Sequence, residues 1–506
     1  MFLLLCLVSS VTFVFLLHCY SHYNAYQKLK HIPGHSYFTF SSVFFRGRDF
    51  ALLYPRHQQM NESLFKNKSV KRGSTWKVTA GSENHVFSSS PELAKEMLVT
   101  KMKKFGKPPG LAQMSNFNPN ESVFSKYFPD EAKSLFSTNY DLWKRHRSLC
   151  NKAFSDSNIK RVVEKEIENV SNKVVSLWRK AISEDKIVEA TPLMSAYSTD
   201  GVSNAIFGVD FNTLDDPKCE LRYIIEQTFA SALYFQLPRI FMFLFPLTRE
   251  FLRIWEKWTD IIKKIISERR EQVKDGTLRN DVLSNLLVAS DNPYPMLTNG
   301  EMTRDIAEIL GAGTDTTATT LSFTLYYLAK HPEIRKKVQT ESKEFISNCN
   351  GSPTYDQLQS GLPYTKAVIY EVLRVHSPAP YLARYTTEDV TADGVFIPKG
   401  TNVTYFLCMT MHNAEIWGDD VEQFRPERFI EDPSFLERNR FEYLPFSSGP
   451  RSCIGQPLAQ MEMWMIISKL MSEFNIELEN KEELPEEDVR FSIVPKNLIR
   501  LIVSSQ

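Results

Sequence analysis

The stretch FSSGPRSCIG, residues 446–455, sets one cysteine beside an arginine, between two glycines and directly ahead of an apolar helix. The helix is signalled by QPLAQMEMWMIISKLM, in which Leu458, Met461, Met465 and Leu470 make one stripe and Pro457 suits a first turn. Cys453 is thereby expected at a helix N-terminus, where unpaired N–H groups and the positive end of the dipole favour thiolate over thiol. Arg451 adds a cation. Gly449 and Gly455 leave room for something flat and wide to approach the backbone. A nucleophilic thiolate would need a neighbouring base, whereas a metal-ligating one would not.

The rest of the chain is compatible with such a loop inside a large core. It has 506 residues, 42% of them hydrophobic. Lys plus Arg and Asp plus Glu both count 60, so no overall field points to nucleic acid, and a charged partner must meet a local patch. The seven cysteines include no CxxC pair, which argues against a disulfide framework or a zinc site and for a reducing compartment. Sequons such as Asn61-Glu62-Ser63 and Asn402-Val403-Thr404 carry little weight, because so short a pattern recurs by chance.

The chain starts MFLLLCLVSSVTFVFLLHCYSHYNAYQKLKHIPG, an uncharged apolar run long enough to span a bilayer. A cleaved signal peptide would need a charged n-region and a small-residue cleavage site, and neither is clear. Residues 1–22 are therefore expected to form a transmembrane signal anchor, with 23–40 as a linker holding a Pro-Gly turn and 41–506 as the catalytic domain. Lys28 and Lys30, which follow the span, place the remainder on the cytosolic side.

Along the chain, SVKRGSTWKVTAGSENHVFSSSPELAKEML predicts one or two strands, a turn and a helix capped at Ser90-Pro91. A helical pattern then holds over most of about 240 residues after Leu135. From Leu382 the Asp393-Gly394 and Pro398-Lys399-Gly400 turns, set among β-branched runs, predict a small antiparallel sheet. The tail FSIVPKNLIRLIV predicts a last hairpin. With no repeat or low-complexity linker, the reading is a single large domain, mainly α with small antiparallel β-sheets.

The loop resembles the haem-binding signature of the cytochrome P450 family, Phe-x-x-Gly-x-Arg-x-Cys-x-Gly, with Phe446, Gly449, Arg451, Cys453 and Gly455 in place. Five fixed residues match by chance on the order of 10⁻⁴ in a chain this long. The resemblance implies the fold of that family and haem b, iron protoporphyrin IX, with Cys453 as the axial thiolate of its iron.

Further segments extend it, in order. GAGTDTT resembles the family's oxygen-binding helix, and helical spacing sets Ala312, Asp315, Thr316 and Thr319 along one face. Gly313 permits close approach, and the Thr316 hydroxyl can bond backward to loosen the helix. The match implies that Ala312 and Gly313 lie against the haem, that Thr316 orients water where oxygen is activated and that Asp315 helps relay protons. Relatives that bond haem covalently carry Glu at the Ala312 position, so non-covalent haem is expected. Glu371 and Arg374 in YEVLRVHSP, with Arg428 in FRPERF, resemble the family's Glu-x-x-Arg motif and its third member, a structural lock. Trp143 and Arg147 in YDLWKRHRSLC share a helix face, and the resemblance sets them, with Arg384 and Arg451, at the haem propionates. Lys144, Arg145 and His146 are left as a basic patch on the proximal side.

Nothing resembles a flavin or nicotinamide fold. The resemblance therefore implies a separate NADPH-cytochrome P450 reductase, with cytochrome b5 as a further candidate donor, docked by charge on an endoplasmic-reticulum anchored enzyme. The leading function is a monooxygenase that inserts one atom of O2 into a lipophilic substrate, with a weak likeness to fatty-acid and sterol side-chain hydroxylases. Two alternatives stand beside it: a haem-thiolate isomerase or dehydratase acting on hydroperoxides, which often lacks the Asp-Thr pair, and a non-catalytic haem sensor. The segments expected to shape the substrate pocket are Lys103 to Phe128, Leu221 to Phe245, the residues before Ala312, Pro378 to Leu382 and Phe491 to Val494.

Overall fold

The computed structural model describes residues 27–28, 31, 34–37, 75–80, 83–108, 134–216, 219–230, 246–276, 281–290, 297–432, 434–438, 440–482, 486–489 and 492–506. The expected anchor at 1–22, most of the linker and much of the segments 103–128 and 221–245 lie outside them. Among the described residues no helix is long and apolar enough to cross a membrane.

The larger sheet combines β1 (Gly34–Tyr37), β2 (Thr75–Ala80), β3 (Glu83–Ser88), β4 (Phe105–Gly106), β6 (Leu382–Thr386) and β9 (Asn402–Tyr405) in the order β1-β2-β3-β9-β6-β4. β2 and β3 form the antiparallel pair expected from the sequence. Helix α1 (Pro91–Lys95) follows, with Ser90 as N-cap accepting the Leu93 N–H. Between β6 and β9 the strands β7 (Val390–Ala392) and β8 (Val395–Ile397) form a hairpin, turned by Asp393 and Gly394 at φ 49° and 70°. Val403 and Thr404 are buried in β9, so the sequon there is closed within the folded sheet.

Helices make up most of the remainder. Those that frame the site are α2 (Tyr140–Ala153), α3 (Glu168–Ser183), α4 (Ala190–Phe207), α5 (Asn299–Lys330), α6 (Pro332–Asn348), α7 (Pro363–Val375) and α8 (Gln456–Glu473). The long α5 starts at a capping box in which Thr298 accepts the Glu301 N–H and Glu301 accepts the Thr298 N–H. It is buried over most of its length, packed along α4 and against α7 and α8. Gly313 makes the α4 contact possible: a Cβ there would stand 3.0 Å from a methyl of Val202. One core cluster joins α2 through α8, and a second fills the space beneath the larger sheet.

The tail differs from its expected hairpin. β12 (Ile493–Pro495) pairs with β11 (Glu487–Val489), whereas β13 (Arg500–Ser505) runs between β10 (Phe474–Leu478) and β5 (Val188–Glu189). Local turn signals around Lys496-Asn497 mark a change of direction but carry nothing about which strands supply the partners.

Candidate haem-thiolate site

Backbone geometry fixes the cysteine loop. The Cys453 N–H donates to the Phe446 carbonyl at 2.9 Å and the Ser452 N–H to the Gly449 carbonyl at 3.0 Å. Gly449 has φ 74°, and a Cβ on it would lie 2.4 Å from the Leu98 carbonyl oxygen, so this glycine serves a left-handed turn and a close approach. Gly455 is the N-cap of α8, with Pro457 in the first turn. Phe446 is half-buried against the main core.

Cys453 keeps an exposed surface although it sits in a loop tied to the core. Burial is nonetheless the strongest influence on its thiol, pushing it above its ordinary value against the Gly455 and Gln456 N–H groups and the Arg147 charge, which pull it down. The side chain thus keeps one open face although protein surrounds the thiol closely enough to desolvate it. The Gly455 and Gln456 N–H groups and Arg147 act toward the thiolate and burial opposes them; a coordinated metal cation deprotonates such a thiol outright. Cys150, one turn beyond Arg147, is fully buried and is pushed further up by burial and by Asp305.

Cations collect beside the loop. Arg147 donates to the Ser452 carbonyl at 2.7 Å. Arg451 lies over the Trp143 ring at 4.6 Å and donates to the Thr138 carbonyl at 2.9 Å. Arg384, on β6, is buried and donates to the carbonyl of its neighbour Ala383 at 2.8 Å. Burial, then Arg384, push Arg451 down to about 9, and burial pushes Arg384 down to about 10. Lys107 joins them: burial, Arg384 and Arg451 hold it well below the usual lysine range, against the Glu308 charge, which pulls it up. Among the described residues, Arg147, Arg384 and Arg451 have no ion pair with a carboxylate. Buried like charges without a counterion are costly, so this cluster fits an anionic group. A flat dicarboxylate macrocycle whose metal meets Cys453 satisfies both the thiol and the cations.

On α5, Ala312 is exposed in a helix otherwise largely buried, with Gly313, Asp315 and Thr316 half-buried and Thr319 buried. The Thr316 hydroxyl donates to the Ala312 carbonyl at 2.8 Å, and Ser198 of α4 donates to the Gly313 carbonyl at 3.1 Å. Two successive carbonyls of the helix therefore accept side-chain hydroxyls, which loosens this turn. Asp315 accepts a hydrogen bond from the Ser492 hydroxyl, at the edge of β12.

Glu371, Arg374 and Arg428 come together as a buried lock rather than an exposed helical pair. Arg374 binds Glu371 in two-pronged fashion at 2.8 and 2.9 Å, and Arg428 reaches the same carboxylate at 3.1 Å. Arg374 also donates to the Met411 carbonyl at 2.9 Å.

The basic patch expected at 144–146 is not formed. His146 is fully buried, its Nδ1 2.6 Å from Asp305, and Arg145 pairs with Glu301, so of the three only Lys144 is turned fully outward. Sequence reading had seen basic residues on a helix face but not the acids on α5 that take them up. Lys107 and Ser492 fall within the segments expected to shape the substrate pocket, but no local pattern sets Lys107 beside Arg384 and Arg451 or Ser492 on Asp315.

The family model described as "Cytochrome P450" matches residues 50–502. Similar proteins include "Cytochrome P450 3A11" of Mus musculus, 29% identical over 82% of this chain and 81% of the relative. "Steroid 17-alpha-hydroxylase/17,20 lyase" of Capra hircus is 28% identical over 86% of this chain and 85% of its own length. "11-oxo-beta-amyrin 30-oxidase" of Glycyrrhiza uralensis is 27% identical over 81% and 76%. A match that takes in the thiol loop, the central helix and the buried lock alike leaves one assignment: the chain belongs to the cytochrome P450 family of haem-thiolate monooxygenases.

Proposed function

We propose that this cytochrome P450 hydroxylates a lipophilic, polycyclic substrate on haem b, whose iron the Cys453 thiolate would hold. The observation that carries the site assignment is an open, desolvated thiol beside Arg147, Arg384 and Arg451, which among the described residues bind carbonyl oxygens and no carboxylate. Bound haem supplies the oxygen chemistry, in which O2, two electrons and two protons give hydroxylated product and water. Arg147, Arg384, Arg451 and Lys107 would hold its two carboxylates, with Trp143 stacked on the Arg451 guanidinium. Ala312 is exposed on α5 and would leave room for the bound group, and Gly313 fixes α5 against α4. The Thr316 hydroxyl, poised on the Ala312 carbonyl, orients water, and Asp315 passes protons inward. Thr316 and Asp315 favour this reading over an isomerase or dehydratase, which needs no proton delivery.

NADPH supplies the electrons through a separate reductase, with cytochrome b5 as a second donor, at the endoplasmic-reticulum membrane where residues 1–22 anchor the chain. Two relatives are named for a steroid and an amyrin skeleton, which supports a polycyclic lipid as substrate.

The test is the spectrum of the reduced, CO-bound protein. A Soret band shifted well to the red of a histidine-ligated haem is expected, and its loss in Cys453→Ala. Retention of the band in Cys453→Ala, or a histidine-like band in the native protein, would overturn the assignment. With reductase and NADPH, a microsomal lipid extract should yield products heavier by one oxygen.

A further inference from the structure

The hairpin formed by β11 and β12 touches α5 at two separated places. At its near end, Ser492, which is 3% exposed, donates its hydroxyl to the Asp315 carboxylate. At its far end, Glu487 meets His376 Nδ1 at 2.6 Å, and His376 Nε2 meets the Tyr327 hydroxyl at 2.9 Å. Tyr327 lies on α5, three turns beyond Asp315. With a proton on Nδ1 shared toward Glu487, Nε2 accepts from Tyr327, so the chain of three groups is satisfied throughout.

Other contacts hold the hairpin still. Val489 and Ile493 are register partners, and the Ile493 N–H donates to the Pro378 carbonyl at 2.9 Å. The His376 ring is stacked on Phe323 of α5, with centroids 4.1 Å apart and planes 7° from parallel. The Ser492 hydroxyl is therefore delivered to Asp315 from a framework braced on the same helix, not from a free loop. An aspartate on a helix face has several rotamers open to it, and a fixed donor on one oxygen selects among them.

We propose that Ser492 is a positioning residue for Asp315: it holds the carboxylate in the orientation from which protons pass toward the Thr316 turn, and the β11–β12 hairpin is its rigid support. This rests on the reading of Asp315 as a proton carrier. Although Ser492 belongs to the segment expected to shape the substrate pocket, it is buried and its hydroxyl is spent on Asp315, so its removal should change turnover and coupling while leaving binding alone.

The experiment uses the full-length, haem-loaded protein with reductase, and the variants Ser492→Ala, Ser492→Thr, Asp315→Asn and Asp315→Ala. Ser492→Ala should lower kcat by about tenfold, within the 10²-fold that a 1 Å misplacement can cost. It should leave KM and the ferric and CO-bound spectra unchanged and raise the NADPH consumed per product. Ser492→Thr, which keeps the hydroxyl, should restore kcat and coupling. Independently of activity, denaturant midpoints of Ser492→Ala, of Asp315→Ala, which removes the acceptor, and of the double variant should be non-additive, the second substitution costing less once the first is made. Impaired turnover in Asp315→Asn with wild-type turnover in Ser492→Ala would overturn the positioning role and leave the proposed function standing. Wild-type turnover in Asp315→Asn would overturn the proton-carrier reading itself, and additive midpoints would overturn the contact.

Discussion

Glu371 has no exposed surface, and its carboxylate serves two guanidinium groups and the backbone N–H of Arg425, which donates to Oε1 at 2.9 Å. Such a group is stable as an anion only because its partners surround it. Arg374 and Arg428 spread the same arrangement to the carbonyls of Met411, Trp417 and Asp420, so one side chain organises the irregular segment that leads into the cysteine loop. Glu371→Ala would leave the buried Arg374 without a counterion and Arg428 with only Asp420, at 3.4 Å, a loss on the order of 3–5 kcal/mol. A denaturant titration should show a much lower midpoint and poor haem retention, with Glu371→Gln, which keeps an acceptor, less affected. Equal midpoints for Glu371→Ala and the parent would refute the lock. The pair was legible from its spacing and its order before Cys453. Its burial was not, because a Glu and an Arg three residues apart on an isolated helix look the same whether water or protein faces them.

Between elements, the α2–α5 contact is made of charges that a helical wheel assigns to solvent. Burial alone would push His146 down, but its hydrogen bond to Asp305 and the Glu301 carboxylate 3.5 Å from its Nε2 outweigh it and raise it from 6.5 to about 9. Glu301 is held down at about 2: burial opposes this, and His146, the Thr298 N–H and Arg145 overcome it. The Leu135 N–H adds a bond to Asp305 at 2.6 Å. A folded-state value raised above the unfolded one means that stability from His146 is complete below about 6.5 and is lost as pH rises through about 9. Glu301 acts in the opposite sense, contributing above 4.5 and losing its share as pH falls through about 2. The denaturant midpoint should therefore decline from pH 6.5 to pH 9, by an amount on the order of 2–3 kcal/mol. His146→Gln should start lower and flatten that decline; an unchanged slope in this variant would show that the histidine is not charged in the folded protein. The existence of α2 and α5 was readable from the helical pattern after Leu135 and the GAGTDTT run. Their charged interface was not, since the two sides stand more than 150 residues apart. The same separation explains the tail, whose two strands each found a partner that no local turn could name.

At the scale of the whole molecule, the cations that surround the thiol loop arrive from β4's exit, α2, β6 and the loop itself, and only the complete fold brings them together. Their mutual repulsion is a cost carried by the folded chain, offset when an anion binds. Haem removal should accordingly lower the thermal midpoint, because a ligand held at about 1,000 times its dissociation constant contributes about 4 kcal/mol to the folded state. The two contributions to that gain can be separated with iron-free protoporphyrin IX. It offers the two carboxylates to Arg147, Arg384, Arg451 and Lys107 but no metal to Cys453, so it should recover part of the lost stability. Arg384→Ala and Arg451→Ala should reduce the gain from both porphyrins, because each removes a partner of the carboxylates. Cys453→Ala should reduce only the gain from the iron form, because the thiol of the parent has nothing to coordinate in the metal-free one. A metal-free porphyrin that leaves the thermal midpoint unmoved would show that the cation cluster does not hold the carboxylates. A Cys453→Ala protein that gains as much from haem as the parent would show that the loop cysteine does not hold the iron.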